Sequence, residues 1–283
     1  MSDLMKGKRG LVMGVANHNS IAWGAAKALA SQGAEVALTY QGEAFGRRVK
    51  PLAEELGTGL TIPCDVEDIA SVDAVFETLK KRWGTIDFLV HAIAFSDKSE
   101  LKGLYADTTR ENFSRTMLIS CFSFTEIARR AVDIMENGGS LVTLTYGGST
   151  HVMPNYNVMG VAKAALEASV RYLAADFGPR NIRVNAVSAG PVRTLAGAGV
   201  SDARLMFNYQ RRNAPMRRNV TIQEVGGAVL YLLSDLANGV TGEIHFVDSG
   251  YNIMSMPALD ELKAQERRAV FVEGEEIDEV EGK

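Results

Sequence analysis

The chain has few of the features that mark secreted, membrane-spanning or metal-binding proteins. Its 283 residues include only two cysteines, Cys64 and Cys121, which excludes a disulfide framework and favours a reducing compartment. The N-terminal residues have no apolar signal-peptide core, and no apolar run approaches the roughly 20 residues that a membrane helix needs. These absences predict a soluble, cytoplasmic protein that does not insert into membranes.

The chain also has few histidines and only a small net charge. The four histidines stand at 18, 91, 151 and 245, without the spacing of a metal site, so we predict no bound metal. We interpret them as structural or surface residues, although His91 could differ because it ends a predicted strand. The net charge of -4 gives no reason to expect nucleic acid as a partner. The composition is that of an enzyme-sized globular domain.

What the chain does have is an alternation of apolar runs and helical patterns. The predicted strands are 9–15, 35–40, 60–64, 87–92, 140–145, 182–187 and 243–247. The predicted helices are 21–31, 69–83, about 109–135 and 157–171, together with a helix that follows the second strand and ends at 55. Such alternation predicts an α/β fold: a single-domain, Rossmann-like, doubly wound parallel sheet of about seven strands with helices on both faces. We expect one domain over 1–257, followed by an acidic, mobile tail over 258–283.

The turn after the first predicted strand has the residues of a dinucleotide site. In this fold the first strand-to-helix turn holds the pyrophosphate at the helix N-terminus. Gly14 would allow the tight turn, Ser20 would cap the helix and contact phosphate, and Gly24 would let the helix approach the strand. The segment is not a G-x-G-x-x-G, so an ordinary capped turn remains an alternative.

Later strand ends supply further candidate cofactor contacts. Gln41 follows the second strand, where it can bond the adenosine ribose, and the lack of an adjacent arginine favours NADH over NADPH. Asp65 and Val66 are placed to contact the adenine. Ile93 would lie under the cofactor, Val192 would pack on the nicotinamide face, and Thr194 would bond the carboxamide or a phosphate. All these positions fall at the C-terminal edge of the sheet, where such folds bind ligands.

Tyr146, Tyr156 and Lys163 form the most informative group. Tyr156 and Lys163 are seven residues apart in a predicted helix, which is close to two turns and about 10.5 Å along the axis. Ordinary short-chain dehydrogenases use Tyr-x3-Lys, but Gly160 occupies that lysine position here. The longer spacing leaves room for a longer reactive group between phenol and amine.

Together these segments resemble a known family. GVANHNSIAWG, TYQ, CDV, Tyr146, PNYNVMGVAK and NAVSAGPVRTLA closely resemble the bacterial NADH-dependent enoyl-acyl carrier protein reductases, divergent short-chain dehydrogenases. The resemblance runs from about Lys6 to Met256. It implies reduction of the trans-2 double bond of an enoyl thioester with NADH, a homotetramer, and an acidic acyl carrier protein that delivers the substrate.

The resemblance also implies a role for each matching residue. Tyr156 would hydrogen-bond the thioester oxygen, Lys163 would hold the nicotinamide ribose, and Tyr146 would line the acyl pocket with a supporting role in proton supply. Ile21, Leu195 and Ala196 would join Gly14, Ser20, Gln41, Asp65, Val66, Ile93, Val192 and Thr194 as cofactor contacts. The substrate contacts would be Ser96, Met159 and Met206, together with the two tyrosines.

The segment 194–216 fits the family's substrate-binding lid, and arginines 204, 211, 212, 217 and 218 are candidates for carrier docking. A surface helical hairpin and a solvated basic face are the alternatives. The chain departs from the family pattern at Ala94, usually glycine, and at Ala203, usually phenylalanine, which leaves chain-length preference and inhibitor sensitivity open.

Two other functions remain open from the sequence. One is a short-chain carbonyl or alcohol dehydrogenase, which the glycine at position 160 argues against. The other is a catalytically altered paralogue that binds dinucleotide without turnover, which the retention of both tyrosines and the lysine argues against.

Overall fold

The computed structural model of the protein describes residues 3–194 and 203–264. Within these residues seven strands form one parallel sheet in the order β3-β2-β1-β4-β5-β6-β7. The strands are β1 Arg9–Met13, β2 Glu35–Tyr40, β3 Thr61–Pro63, β4 Phe88–His91, β5 Gly139–Thr145, β6 Ile182–Ala189 and β7 Ile244–Val247. The helices are α1 Ile21–Ser31, α2 Gly42–Glu55, α3 Ile69–Trp83, α4 Arg110–Met117, α5 Ser123–Asp133, α6 Asn157–Phe177, α7 Ala203–Asn213 and α8 Ile222–Leu233. The predicted doubly wound fold is confirmed.

Alternating side chains divide the sheet between two apolar cores. In β1, Leu11 and Met13 belong to the core beneath α3, α5 and α6, whereas Val12 belongs to the core beneath α1, α2 and α8. Successive strand residues point to opposite faces, so a strand buried on both faces must be apolar throughout. The continuous apolar runs in the sequence follow from this burial.

The observed strands end close to the predicted ones, with one instructive difference. The predicted first strand runs to residue 15, but β1 ends at Met13 because Gly14 has a φ of +98°. This left-handed conformation favours glycine and leaves the extended region. A Cβ at Gly14 would overlap the carbonyl oxygen of Ala92, so the chain can turn here only without a side chain.

The long predicted helix over about 109–135 is interrupted. A π-helical turn, Leu118–Phe122, separates α4 from α5. Helix α6 begins at Asn157 as predicted, but it continues to Phe177 rather than ending at Arg171.

Helix α8 was not among the predicted elements, although the sequence carries its start signal. Thr221 and Glu224 form a capping box, in which each side chain bonds the other residue's backbone N–H. This Thr-x-x-Glu pattern precedes an apolar run and is typical of a helix N-terminus. The two glycines inside the helix, Gly226 and Gly227, weaken its helical pattern.

The predicted role of Gly24 was wrong. Gly24 lets α1 approach α8, not its own strand: a Cβ on Gly24 would overlap the carbonyl oxygen of Ile222. Reciprocally, a Cβ on Gly226 would lie 2.5 Å from the carbonyl oxygen of Gly24. The two helices therefore touch backbone to backbone.

The first residues of the predicted tail contact α7. The backbone N–H of Ala258 donates to Asn213 Oδ1 at 2.7 Å, and Glu261 pairs with Arg212 at 3.1 Å. Residues 265–283 lie outside the described part of the chain. Among the described residues, no helix is both long and apolar enough to cross a membrane.

Candidate active site

The predicted site residues gather at the C-terminal edge of the sheet. All strand pairs are parallel, so β1, β4, β5 and β6 end at the same edge. The strand order reverses between β1 and β4, and open α/β sheets bind ligands in the crevice at such a point.

Tyr146 and Tyr156 meet at this edge. Tyr146 directly follows β5, and Tyr156 is the N-cap residue of α6. Their rings pack edge to face with centroids 5.2 Å apart. Burial raises the pKa of Tyr146 to about 12, and the same cause, with Tyr146 beside it, raises the pKa of Tyr156 further. Both phenols therefore keep their protons at neutral pH.

Lys163 lies two turns further along α6, as the spacing predicts, and is buried. Its Nζ donates to the backbone carbonyl oxygen of Leu144 at 2.8 Å. Burial lowers the pKa of Lys163 to about 8, against the opposing influence of Cys121 and Glu167. The site thus combines two protonated phenols with a cation of reduced pKa.

Two glycines allow this packing. A Cβ on Gly148 would lie 2.6 Å from Cδ1 of the Tyr156 ring, and a Cβ on Gly160 would lie 2.7 Å from the Gly148 carbonyl oxygen. Gly160 is the position at which an ordinary short-chain dehydrogenase carries its lysine. Here the short 3-10 turn Gly147–Ser149 fills the space that such a side chain would need.

The turn between β1 and α1, which was predicted to hold phosphate, does not have the expected helix cap. Ser20 stands at the N-cap of α1, but its side chain makes no capping hydrogen bond, so this part of the prediction was wrong. Instead its Oγ accepts from the backbone N–H groups of Ala16 and Asn17, at 3.0 and 3.1 Å. The hydroxyl therefore orders the loop before the helix, and Ile21 begins the helix beside it.

The predicted ribose and adenine residues are in contact. Gln41 Nε2 donates to Asp65 Oδ2 at 2.9 Å, which joins the ends of β2 and β3. Val66 is buried beside them, and Ile93 packs at the edge of the same apolar core. A polar pair beside an apolar wall suits a ribose and an adenine, and Gly14 leaves bare backbone where a pyrophosphate would pass. The residues present thus fit a dinucleotide.

The segment after β6 is described only in part. Val192 packs against the core beneath α1 and α8, and the Thr194 N–H donates to its carbonyl oxygen at 2.9 Å. Leu195 and Ala196, the remaining predicted cofactor residues, lie outside the described residues.

The three predicted substrate residues occupy different surroundings. Ser96 is buried, accepts a hydrogen bond from Thr116 Oγ1 at 2.9 Å, and lies 3.3 Å from Asn112 Oδ1. Met159 is buried against Tyr156 in a small apolar cluster. Met206 lies partly buried on α7.

The residues that hold the Ser96 loop were not predicted from the sequence. Asn112, Thr116 and Ser120 are buried, and Ser120 Oγ accepts from the Phe95 N–H at 2.9 Å and donates to its carbonyl oxygen at 2.8 Å. Their spacing of four residues forms a polar stripe along a helical segment. The regular spacing of these three polar side chains along the predicted 109–135 helix was the available signal.

His91 is a structural residue. Its ring nitrogens lie 3.1 Å from Thr143 Oγ1 and 3.0 Å from Ser123 Oγ. Complete burial, with a smaller influence of Lys163, lowers its pKa to about 3, so the ring is neutral at neutral pH. In the part of the chain that is described, no cluster of histidine, cysteine and acidic residues could hold a metal ion.

Known proteins match the chain over nearly its whole length. The family model described as Enoyl-(Acyl carrier protein) reductase matches residues 14–252. A Rhizobium meliloti protein named enoyl-acyl-carrier-protein reductase (NADH) 2 is 72% identical over 263 residues, which cover 93% of this chain and 98% of that protein.

Two solved structures are similar to this fold. FabI from Candidatus Liberibacter asiaticus is 59% identical with a TM-score of 0.90, covering 91% of this chain and 100% of that one. The Anaplasma phagocytophilum enoyl-acyl-carrier-protein reductase in complex with NAD is 58% identical with a TM-score of 0.89, covering 92% and 99%.

Proposed function

The chain belongs to the enoyl-(acyl carrier protein) reductase family, and on that premise we propose which of its residues carry out the reduction. It is an NADH-dependent enoyl-acyl carrier protein reductase, an oxidoreductase that reduces the trans-2 double bond of enoyl thioesters in the last step of each fatty acid elongation cycle. The observation that carries the site assignment is the contact between the Tyr146 and Tyr156 rings at the start of the helix that bears Lys163.

Tyr156 acts on the substrate thioester. NADH, when bound, supplies the hydride that reduces the β-carbon. Tyr156 donates a hydrogen bond to the thioester oxygen and stabilises the negative charge that develops there as the enolate forms. Its raised pKa supports this role, because a phenol must be protonated to donate.

Lys163 holds the nicotinamide ribose hydroxyls and keeps a positive charge near the reacting atoms. Its Nζ donates to the Leu144 carbonyl oxygen, and an ammonium group has three donors, so two remain for a ligand. The same hydrogen bond holds the flexible side chain at the end of β5.

Tyr146 lines the acyl pocket and supports Tyr156. The edge-to-face contact restricts the Tyr156 ring to one orientation. Its own raised pKa keeps it protonated, as a supporting role in proton supply requires.

The cofactor contacts follow the order of the strands. Gly14, Ser20 and Ile21 face the pyrophosphate, and Gln41, Asp65 and Val66 face the adenosine. The nicotinamide half is contacted by Ile93, Val192, Thr194 and, from the sequence alone, Leu195 and Ala196. Burial of Val66 and the Gln41–Asp65 hydrogen bond support the adenosine assignment.

The substrate contacts are Ser96, Met159 and Met206, and the segment 194–216 is the lid of a catalytic domain that spans 1–257. Residue 194 and residues 203–216 are the described part of that lid, and helix α7 makes up most of it. Arg193 stacks over the Phe207 ring at 4.8 Å, and Asn219 Nδ2 donates to the Phe207 carbonyl oxygen at 2.9 Å. These two contacts hold Phe207 of α7 near the segment that follows β6, which supports the proposed lid.

The substrate is delivered by an acidic acyl carrier protein. Three of the five candidate docking arginines already have carboxylate partners: Arg212, Arg217 and Arg218 pair with Glu261, Asp260 and Glu224. Arg204 and Arg211 are exposed, and within the described residues neither forms an ion pair. We assign carrier docking to these two.

We also place the enzyme in the cytoplasm, which its two free, buried cysteines support.

The assignment is tested by NADH oxidation with a crotonyl thioester and, as a ketone control, an acetoacetyl thioester. The wild-type enzyme should reduce the crotonyl substrate. Tyr156→Phe should lower kcat about 100-fold or more, since one oxyanion donor is lost, without changing the Kd for NADH. Tyr146→Phe should cause a smaller loss. Full activity of Tyr156→Phe, or turnover of the ketone alone, would contradict the assignment.

A further inference from the structure

The end of β5 is joined to α6 by two buried hydrogen bonds. Lys163 Nζ donates to the Leu144 carbonyl oxygen at 2.8 Å, and Thr145 Oγ1 donates to Glu167 Oε1 at 2.7 Å. Lys163 and Glu167 are four residues apart, about one turn of the helix. Two consecutive strand residues are therefore bonded to two consecutive turns of α6.

Glu167 is an unexpected residue at its position. Its exposed fraction is 6%, and its helical neighbours Leu166 and Val170 are fully buried in the core. A buried carboxylate is costly unless it is hydrogen-bonded, and an apolar side chain would pack there at less cost. The observed partner of this carboxylate is Thr145, itself 5% exposed.

Both tyrosines lie between Thr145 and Glu167 in the chain, so the Thr145–Glu167 hydrogen bond closes the segment that carries them. Tyr146 directly follows Thr145, and Tyr156 is the N-cap residue of the helix that carries Glu167. Holding the end of β5 against α6 therefore sets the distance between the backbones from which the two rings project.

Glu167 also acts on the charge of Lys163. Two other titratable groups interact with Lys163: Cys121 in the π-helical turn opposes the lowering of the Lys163 pKa more strongly than Glu167 does, and Lys163 itself lowers the pKa of His91 on β4. Burial lowers the pKa of His91 to about 3 and raises that of Cys121, so both are neutral near pH 7. Burial lowers the pKa of Lys163 to about 8, and Glu167 is the acid on its own helix that opposes this shift.

Resting on the reductase site proposed above, we propose that Thr145 and Glu167 are a buried positioning pair for this reaction. Their hydrogen bond fixes Tyr146 against Tyr156, and the Glu167 carboxylate keeps Lys163 in its charged form. Neither residue needs to touch substrate or cofactor.

Four variants of the full chain test the pair. Thr145→Val removes the donor with little change of shape, and Thr145→Ser restores it. Glu167→Gln keeps an acceptor for Thr145 but removes the charge. Ser140→Ala, at the far end of β5, removes a different buried hydrogen bond, from Ser140 Oγ to the Leu232 carbonyl oxygen at 3.0 Å, and is the structural control.

The readouts are kcat with the crotonyl thioester, KM for NADH, the pH profile of kcat/KM, and Tm. Thr145→Val should lower kcat about tenfold or more at little change in KM for NADH, because a small misplacement of a catalytic group is costly. Thr145→Ser should recover most of that loss. Glu167→Gln should move the high-pH limb of kcat/KM to lower pH, since Lys163 then loses its proton more readily. Ser140→Ala should lower Tm alone.

A purely structural role would appear as a lower Tm with unchanged kcat in Thr145→Val, as in Ser140→Ala, and would overturn the proposal. If Thr145→Val does not fold, Glu167→Gln becomes the test. A high-pH limb of kcat/KM at the same pH as in the wild type would then overturn the proposal. A failure of the proposed function looks different: the wild type would not reduce the crotonyl thioester, or Tyr156→Phe would match the wild type.

Discussion

At the scale of single residues, the spacing between Tyr156 and Lys163 depends on what can stand at position 160. Any side chain at Gly160 would meet the Gly148 carbonyl oxygen, and any side chain at Gly148 would meet the Tyr156 ring. The turn that follows Tyr146 thus occupies the space one helical turn above Tyr156. The cation has to come from the second turn, where Lys163 stands.

The reduced pKa of Lys163 gives the free enzyme a specific pH dependence. The lysine is charged below its pKa of about 8 and loses its proton as the pH rises through that value. The affinity for NADH should therefore be constant from pH 6 to 7 and about tenfold weaker at pH 9, where roughly one molecule in ten stays protonated. Titration calorimetry with NADH across this range measures the effect.

Lys163→Met is the control for this pH dependence. Its NADH affinity should be weak at all pH values, because the titrating group is gone. The phenols of Tyr146 and Tyr156 remain protonated over the same range, so they do not contribute. A wild-type affinity that does not change between pH 7 and 9 would refute the assigned role of Lys163.

The sequence predicted the positions of the site residues better than it predicted their side-chain hydrogen bonds. Spacing alone brought Tyr156 and Lys163 onto one helix, and strand ends brought Gln41 beside Asp65, because helical and strand periods are fixed by backbone geometry. It failed for the hydroxyl of Ser20, which bonds the preceding loop rather than the helix. Side-chain hydrogen bonds in a loop depend on the loop conformation, and a loop has no regular repeat from which that conformation could be predicted.

At the scale of elements, apolar runs predicted the strands because the sheet is buried on both faces. Helix α8 was missed, since Gly226 and Gly227 weaken its helical pattern. The structure supplies the reason for one of these glycines. Gly226 lies against the backbone of Gly24 on α1, whereas a Cβ on Gly227 would meet nothing within 4 Å. Such a contact between elements distant in sequence cannot be read from either segment alone.

This difference between neighbouring glycines predicts opposite effects of one added methyl group. Gly226→Ala should push α8 from α1 and lower the free energy of unfolding by about 1–3 kcal/mol. Gly227→Ala, on the same helix, should leave it unchanged or raise it by roughly 0.5–1 kcal/mol, since alanine is the better helix former. Denaturant unfolding of the two variants measures both. Equal destabilisation by both substitutions would show that the α1–α8 contact is not tight.

At the scale of the whole molecule, exposed aromatic side chains of the described residues lie at two places on the fold that could each pair with another chain. On the helical side, Phe122 of the π-helical turn is 50% exposed and Tyr172 of α6 is 76% exposed. The other place lies at the edge of the sheet, where Phe246 of β7 is 40% exposed. An unpaired edge strand with an aromatic side chain invites another chain to cover it.

If each of these two surfaces paired with its own copy on another chain, a tetramer with three two-fold axes would result, and on this ground we propose a homotetramer. Sedimentation should give a mass about four times the 30.6 kDa of one chain. Tyr172→Glu and Phe246→Glu should each disrupt one surface and leave dimers, because burying an unpaired carboxylate at an apolar contact is unfavourable. Ile69→Glu, a change at an exposed apolar residue of α3, should leave the tetramer intact. A monomeric wild type, or equal dissociation by Ile69→Glu, would exclude an assembly built on these two surfaces.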